Sequence, residues 1–377
     1  MTNLATSTTA TRRIEWIDAL RGLTMILVVF SHVEVHGYQM SVSVVNQFFM
    51  NFRMPLFFFI SGFIAYRSGE IWNLSHYRQQ MLKKERIQII PTLFFGLLFA
   101  ITVYAHREGL GTTDSILAFF DSKTKLGYWF TIVLLLMFVV YYTVSLLTAR
   151  LKTRHRQAVL AIIAIVLFLV SLEMRTALIH SAPARWFCLY HFMLYFQFFV
   201  FGNIFSCYKE QLFHLLGRPN VIGAIILLFF GLYIAKCFLP QTPFGHTFAG
   251  VNTNRLLTEA VRYLGILSLV CAFRHYSDTF SSRTRVGRSL QFIGRRTLDI
   301  YLLHYFFIPT LPMVRLFFDN YQNITLHLAT TLFLALVIIG ICLLLSGFIR
   351  TSPTLAHYLF GVKTTPDTNK QDKHISN

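Results

Sequence analysis

The chain is dominated by apolar runs that each continue for about twenty residues. Of its 377 residues, 55% are hydrophobic and only 13% are charged, whereas a soluble domain carries about a quarter charged residues. An apolar run of about 20 residues is what an α-helix needs to cross the hydrocarbon core of a bilayer. The runs therefore predict an all-α, polytopic membrane protein and exclude an ordinary soluble enzyme.

Ten membrane spans are expected, at residues 17–38, 44–66, 87–105, 128–149, 157–174, 186–207, 219–239, 256–273, 292–314 and 326–349. If the N-terminus is cytoplasmic, the connections on that side hold 23 Lys and Arg residues against 9 on the other side. Because loops retained in the cytoplasm are rich in Lys and Arg, this bias places both termini there. We expect a cytoplasmic tail over 1–16, a membrane domain over 17–349, and a disordered cytoplasmic tail over 350–377.

The formal net charge of +18 has the same explanation. It reflects the orientation of the spans, since no soluble basic domain is available to bind nucleic acid. The five cysteines are scattered through the apolar runs without CxxC or other metal-ligand spacing. We therefore predict no metal site and no bound cofactor.

Residues 17–62 form the segment around which the rest of the chain is organised. They read as two membrane helices joined by a short turn, and they carry six ionisable residues: Asp18, Arg21, His32, Glu34, His36 and Arg53. Ionisable groups at membrane depth are costly and usually face a cavity with a function. This hairpin is therefore the predicted functional site.

Helix geometry predicts which of these side chains can meet. At about 1.5 Å per residue, His32 lies about 21 Å along the first helix from Asp18, past the bilayer midplane. Counted from a turn near Ser41, the depths of His32 and Arg53 differ by only about 4.5 Å. Asp18 and Arg21 are three residues apart on one helix face and can pair at the cytoplasmic entrance.

An imidazole and a guanidinium at one level can supply a base and a group that binds an anion. A buried histidine tends to be neutral and can act as a general base, while an arginine can hold an anion or stabilise an oxyanion. No Ser-His-Asp or Cys-His order is evident, so direct transfer with His32 as base is favoured, and an acyl-histidine intermediate remains open. Structural roles also remain open, with His32 in an interhelical hydrogen bond and Arg53 as a partner of Glu34.

The first helix, IDALRGLTMILVVFSH, resembles the first-helix signature of the acyltransferase 3 family of integral-membrane O-acyltransferases. Four further segments resemble family blocks in the same order: FRMPLFFFISGF, LGYWFTIVLLLM, YFQFFVFGNIF and IGRRTLDIYLLHYFF. Many members carry histidine where this chain has Arg53. The five blocks run from residue 17 to about residue 307.

The resemblance implies transfer of an acyl group, most often acetyl or succinyl, from cytoplasmic acyl-CoA to a hydroxyl of a glycan or related acceptor. It implies that His32 is the catalytic residue, and we assign Arg53 as its catalytic partner. The matching motif residues become the expected substrate-binding set: Asp18, Arg21, Ser61, Trp129, Tyr301 and His304. We expect the protein in a bacterial inner membrane, where it contacts acyl-CoA, a glycan or lipid-linked sugar, and lipid.

The connection between the eighth and ninth spans is the expected site for the phosphates of CoA. It is rich in arginine, and guanidinium groups bind phosphate in a fork. The arginines assigned to this role are Arg283, Arg285, Arg288 and Arg295. The alternative is that these charges only set the membrane orientation.

Two other functions fit an intramembrane histidine and arginine. A carrier or flippase for an acyl group or glycan would use them along a transport path. A scaffold subunit of a glycan-synthesis complex would use them structurally. Release of free CoA by the purified protein separates the enzyme from the carrier, and a scaffold predicts that loss of His32 or Arg53 lowers abundance rather than activity.

Overall fold

The computed structural model describes residues 13–40, 42–238, 247–248, 251–321 and 323–361. The described chain is a polytopic all-α membrane protein, as predicted. Its α-helices, in chain order, are α1 Glu15–His32, α2 Val44–Met50, α3 Arg53–Ala65, α4 Leu74–Lys84, α5 Ile90–Phe99, α6 Ala105–Glu108, α7 Thr112–Asp121, α8 Trp129–Leu147, α9 Thr153–Glu173, α10 Arg175–His180, α11 Ala182–Trp186, α12 Leu189–Cys207, α13 Lys209–Leu216, α14 Pro219–Phe238, α15 Thr253–His275, α16 Arg285–Arg295, α17 Thr297–Phe307, α18 Pro312–Asn320, α19 Ile324–Ile349 and α20 Pro353–Phe360.

Shorter elements join or extend these helices. Three π-helical turns cover Val33–Gly37, Glu85–Ile89 and Ala100–Tyr104, and a 3₁₀ turn covers Lys125–Gly127. Two short strands, β1 Thr247–Phe248 and β2 Val251–Asn252, pair in antiparallel fashion. The first π-helical turn follows directly on α1, so it carries the chain past His32.

Eight helices within the described ranges are long and apolar enough to cross a membrane, or nine if one bent pair counts as a single span. The sequence predicted ten. The missing one is α12, which has 19 residues but carries His191, Gln197 and Asn203. Gln197 and Asn203 have hydrogen-bond partners inside the bundle, where Asn203 Oδ1 accepts a hydrogen bond of 3.1 Å from Gln157.

The predicted ninth span is the bent pair, α17 followed by α18, with an angle of 87° between the two helices. The break contains Pro309, and Pro312 begins the next helix. Proline has no backbone N–H and disfavours helical geometry in the preceding residue, so a straight helix cannot continue there.

The second and third spans also differ from their predicted form. The second is interrupted between α2 and α3, because Pro55 lacks the N–H that the carbonyl of residue 51 would need. The third runs over Leu74–Glu108, 35 residues, rather than over 87–105. Its π-helical turn at Glu85–Ile89 lies just before Pro91 and accommodates that proline within a continuous helix.

Glycines bring two pairs of central helices into backbone contact. A Cβ on Gly22 of α1 would lie 2.0 Å from the carbonyl oxygen of Leu290 in α16, and one on Gly294 would lie 1.8 Å from that of Asp18. The same reciprocal contact joins α3 and α12, where Gly62 meets Phe199 and Gly202 meets Phe59. Small residues allow this close approach in membrane bundles, and here they fix the helices that surround the site.

The C-terminal segment is partly helical, which corrects the prediction of disorder from residue 350. Helix α20 covers Pro353–Phe360, and the Phe360 ring stacks on Phe95 at 6.1 Å between centroids. The Arg350 guanidinium lies over the Phe360 ring, 4.9 Å from its centroid. Apolar burial therefore orders this part of the tail. Residues 1–12, 362–377 and the predicted hairpin turn at Ser41 lie outside the described residues.

Substitution of Gly202 by alanine should destabilise the protein. The added methyl group would lie 1.9 Å from the carbonyl oxygen of Phe59, so α3 and α12 must separate, at a cost of about 1–3 kcal/mol. The matched control is Gly231→Ala in α14, where nothing lies within 4 Å. Thermal unfolding in detergent should shift down by several degrees for Gly202→Ala alone; equal midpoints for the two variants would contradict the close contact.

Candidate active site

A cavity of about 380 Å³ lies among α1, α3, α4, α8 and α17. One end, which we call the reaction end, is lined by His32, Arg53, Trp129 and Tyr301. The other, which we call the cationic end, is lined by Arg21, Arg67, Lys83 and Lys84. Arg21 and His32 lie eleven residues apart on α1, so the two ends are roughly 16 Å apart along that helix.

His32 is held at the reaction end by hydrogen bonds from two sides. Its Nδ1 lies 2.9 Å from Nε2 of His304 in α17, and its Nε2 lies 3.2 Å from the hydroxyl of Tyr305. The His304 and His32 rings are nearly parallel, with an angle of 12° between their planes. His304 in turn places its Nδ1 2.9 Å from the carbonyl oxygen of Ile300.

These contacts determine which ring nitrogens carry protons. The Ile300 carbonyl can only accept, so Nδ1 of His304 must be the donor. A neutral His304 then offers an accepting Nε2, and Nδ1 of His32 must donate to it. The lone pair of His32 therefore lies on Nε2, at the position where the Tyr305 hydroxyl donates. This nitrogen is the atom of the His32 ring that can accept a proton.

Aromatic residues and a strained turn enclose the reaction end. The Tyr301 hydroxyl donates to the carbonyl oxygen of Gly127 at 3.2 Å and accepts from the backbone N–H of Phe130 at 3.2 Å. Gly127 has a φ of 106°, a conformation that favours glycine. A Cβ there would also lie 2.3 Å from the Tyr305 hydroxyl. The turn before α8 is thus pressed against both tyrosines.

Arg53 begins α3 and lines the reaction end with His32. Its Nη1 donates to Oδ1 of Asn46 in α2 at 3.1 Å. Nδ2 of the same asparagine donates to Oε2 of Glu34. Arg53 is therefore linked to Glu34 through Asn46 rather than by a direct ion pair. Glu34 is fully buried.

The cationic end is the part of the cavity whose lining includes exposed side chains. Arg67 and Lys83 are exposed, and the Lys84 ammonium lies 3.5 Å from the centroid of the Phe138 ring. Arg21 donates to the Thr297 hydroxyl at 2.9 Å. Glu70 is the one carboxylate among the described residues that line this cavity, so the cationic end carries a clear excess of positive charge.

Several residues singled out from sequence meet at the cavity, and others lie behind its wall. Ser61, Trp129 and Tyr301 line it together with Arg21, His32 and Arg53. Asp18 stands behind Arg21, at 3.7 Å, which is the predicted pair. His304 stands behind His32 and orients it.

The four arginines proposed for phosphate binding lie elsewhere. Arg283, Arg285, Arg288 and Arg295, all within the described part of the chain, are exposed and do not line the cavity. Helix α16 turns Gly294 toward α1, and its arginines Arg285, Arg288 and Arg295 are exposed; Arg283 precedes the helix. The cations that do line the cavity include Arg67, Lys83 and Lys84.

Sequence reasoning did not single out Tyr305, Asn46 or the three cations of the cavity. Tyr305 directly follows His304, so the late block contained a signal for it. Lys83 and Lys84 were counted only as orientation-setting charges because the third span was taken to begin at residue 87. The described residues contain no group of three or more His, Cys, Asp or Glu side chains placed to hold a metal ion.

Comparison with known proteins gives one match. The family model described as an acyltransferase domain, that of the acyltransferase 3 family, matches residues 14–347. The search of curated proteins found no match. The search of solved structures found none either. The matched range includes both ends of the cavity.

The tautomers of His32 and His304 are directly measurable. In protein labelled with ¹⁵N-histidine, both rings should be neutral at pH 7.5 with the proton on Nδ1, because each Nδ1 donates in the chain that begins at Ile300. Nitrogen chemical shifts report this state, His304→Ala assigns the signals, and the exposed His106 serves as the reference. A proton on Nε2 of His32 would contradict the hydrogen-bond chain.

Proposed function

Because the chain belongs to the acyltransferase 3 family and is therefore a membrane acyltransferase, we propose that it moves an acyl group from acyl-CoA to a hydroxyl of a glycan or related acceptor. The observation that carries the proposal is the placement of His32. It lines one end of a cavity whose other end holds four cations, and its Nε2 is left without a proton by the hydrogen bonds around the ring. A base at one end and a phosphate-binding surface at the other match the two parts of a CoA thioester.

The chemistry needs only one base and one electrophilic group. The acceptor hydroxyl takes the place of the Tyr305 hydroxyl at His32 Nε2 and gives up its proton there. Its oxygen attacks the thioester carbonyl carbon, and the Arg53 guanidinium stabilises the oxyanion that forms. The carbon–sulfur bond then breaks, and the proton on His32 passes to the departing thiolate. The products are the ester and free CoA.

His304 supports this step without touching the substrate. When His32 takes up a proton, its Nδ1–H strengthens its hydrogen bond to Nε2 of His304. The carbonyl of Ile300 keeps His304 in the tautomer that can accept it. The role parallels that of an orienting partner behind a catalytic histidine.

The donor enters from the cationic end. Its phosphates bind Arg21, Arg67, Lys83 and Lys84, and its narrow pantetheine arm extends along the apolar wall of the cavity to His32. The bias of Lys and Arg between the connections puts this end on the cytoplasmic side, where acyl-CoA is made. The acceptor reaches the reaction end from the opposite side. An acetyl or succinyl donor, a polysaccharide acceptor and a bacterial inner membrane complete the proposal.

Removal of the base should abolish transfer. His32→Ala should lower product formation by at least about 10²-fold, the lower range of general-base effects. The measurement is mass spectrometry of surface and lipid-linked glycans from cells that carry each variant, which also gives the mass of the acyl group. The control is His106→Ala, an exposed position. A His32→Ala protein that inserts normally and acylates at the wild-type rate would overturn the proposal.

The donor site predicts a contrast between two pairs of cations. The double variant Lys83→Gln, Lys84→Gln should raise the acyl-CoA KM about tenfold or more, because charge-assisted hydrogen bonds to phosphate contribute about 1.5–3 kcal/mol each. The matched control is Arg285→Gln, Arg288→Gln, which removes equal charge from the exposed face of α16. Free CoA release by isolated membranes gives both constants. A larger KM effect for the control pair would place the phosphates on α16 instead.

A further inference from the structure

Arg53 is held from outside the cavity by a chain of side chains from three other elements. Asn46 of α2 accepts from Arg53 and donates to Glu34, which lies on the π-helical turn after α1. The second carboxylate oxygen of Glu34 faces Nε2 of His327 in α19, at 3.5 Å. Glu34 and Asn46 are both 0% exposed, and neither of them lines the cavity. They cannot contact a substrate there.

The orientation of the Asn46 amide is determined by its two partners. A guanidinium can only donate and an ionised carboxylate can only accept, so Oδ1 must face Arg53 and Nδ2 must face Glu34. An amide with the reverse orientation would place a donor against a donor and an acceptor against an acceptor. The carboxylate therefore fixes Asn46, and Asn46 fixes one edge of the guanidinium.

This arrangement leaves the rest of the Arg53 guanidinium directed to the reaction end. The intervening amide holds the guanidinium by one hydrogen bond, and Glu34 does not contact it directly. Glu34 still compensates the buried positive charge at longer range, since buried charges require a partner. The guanidinium thus stays charged, oriented and available.

We propose that Glu34, acting through Asn46, is the positioning residue that directs the Arg53 guanidinium at the reacting carbonyl. The proposal rests on the proposed function and adds a residue to it. A displacement of about 1 Å in a group that stabilises the transition state is enough to lower a rate about 10²-fold. Breaking the hydrogen bonds from Glu34 through Asn46 to Arg53 should therefore reduce kcat and leave donor binding at the distant cationic end unchanged.

The test is a double-mutant cycle between Asn46 and Arg53. Asn46→Leu should lower kcat at least tenfold in the wild-type chain. It should lower kcat less than twofold in an Arg53→Lys background, because lysine keeps the charge but lacks the planar fork that Asn46 orients. Free CoA release is measured in isolated membranes, which supply the acceptor, with acetyl-CoA and succinyl-CoA as donors. The acyl-CoA KM should stay within twofold throughout.

Two variants of Glu34 separate positioning from simple packing. Glu34→Gln keeps an oxygen that accepts from Asn46 and should retain kcat within about threefold, whereas Glu34→Leu should match Asn46→Leu. Thermal unfolding in detergent is recorded for every variant. A loss of kcat that follows the loss of thermal stability, or effects of Asn46→Leu and Arg53→Lys that multiply in the cycle, would overturn the positioning role.

A charge swap keeps the test decisive if Asn46→Leu fails to fold. Asn46→Asp sets two carboxylates against each other and should lower kcat at least tenfold. Adding Glu34→Gln restores a donor opposite the introduced carboxylate and should recover kcat to within about fivefold of wild type; no recovery would contradict the proposal.

His32→Ala is assayed in parallel. If it stays active, the proposed function fails, whereas an inactive His32→Ala with a failed cycle or swap removes only the positioning role.

Discussion

The contact between α1 and α16 is the constraint on which the active site depends. Gly22 and Gly294 let the two helix backbones touch, and the chain turns directly after α16 to start α17 beside α1. The Arg21–Thr297 hydrogen bond marks that starting point. Two helical turns further on, His304 meets His32. A bulkier side chain at either glycine would shift α17 relative to α1 and separate the two imidazoles.

The polar groups of the site are expensive to bury and are accordingly paired in chains. One chain runs from the Ile300 carbonyl through His304 and His32 to Tyr305, and the other runs from Glu34 through Asn46 to Arg53. Each link has one possible direction, because every chain ends in a group that can only accept or only donate. Buried hydrogen bonds whose directions are determined in this way favour one geometry of the side chains. Of the residues in these two hydrogen-bond chains, His32 and Arg53 line the cavity, where a substrate would contact both.

Much of this arrangement could be read from the sequence, and the reasons for the rest are physical. Helix periodicity and the rarity of intramembrane charge were enough to select the first hairpin and to bring His32 and Arg53 to similar depth. The motif glycines could be recognised, but their partners could not, because contacts such as Gly22 with Leu290 join residues far apart in the chain. The cationic end was missed because the third span continues as a helix through Lys83 and Lys84, with a π-helical turn that absorbs Pro91. The arginines of α16, predicted to bind the phosphates of CoA, do not line the cavity, and local charge density does not reveal which helix face packs inward.

The central claim is that one cavity holds the donor with its phosphates at the cationic end and its thioester beside His32. The most direct measurement is an electron cryo-microscopy structure of the protein with a thioether analogue of acetyl-CoA, which cannot transfer its acyl group. The account predicts phosphate density within hydrogen-bond distance of Lys83, Lys84 and Arg67, and the thioether within reach of His32 and Arg53. Phosphate density along the exposed face of α16, with no pantetheine density in the cavity, would contradict it.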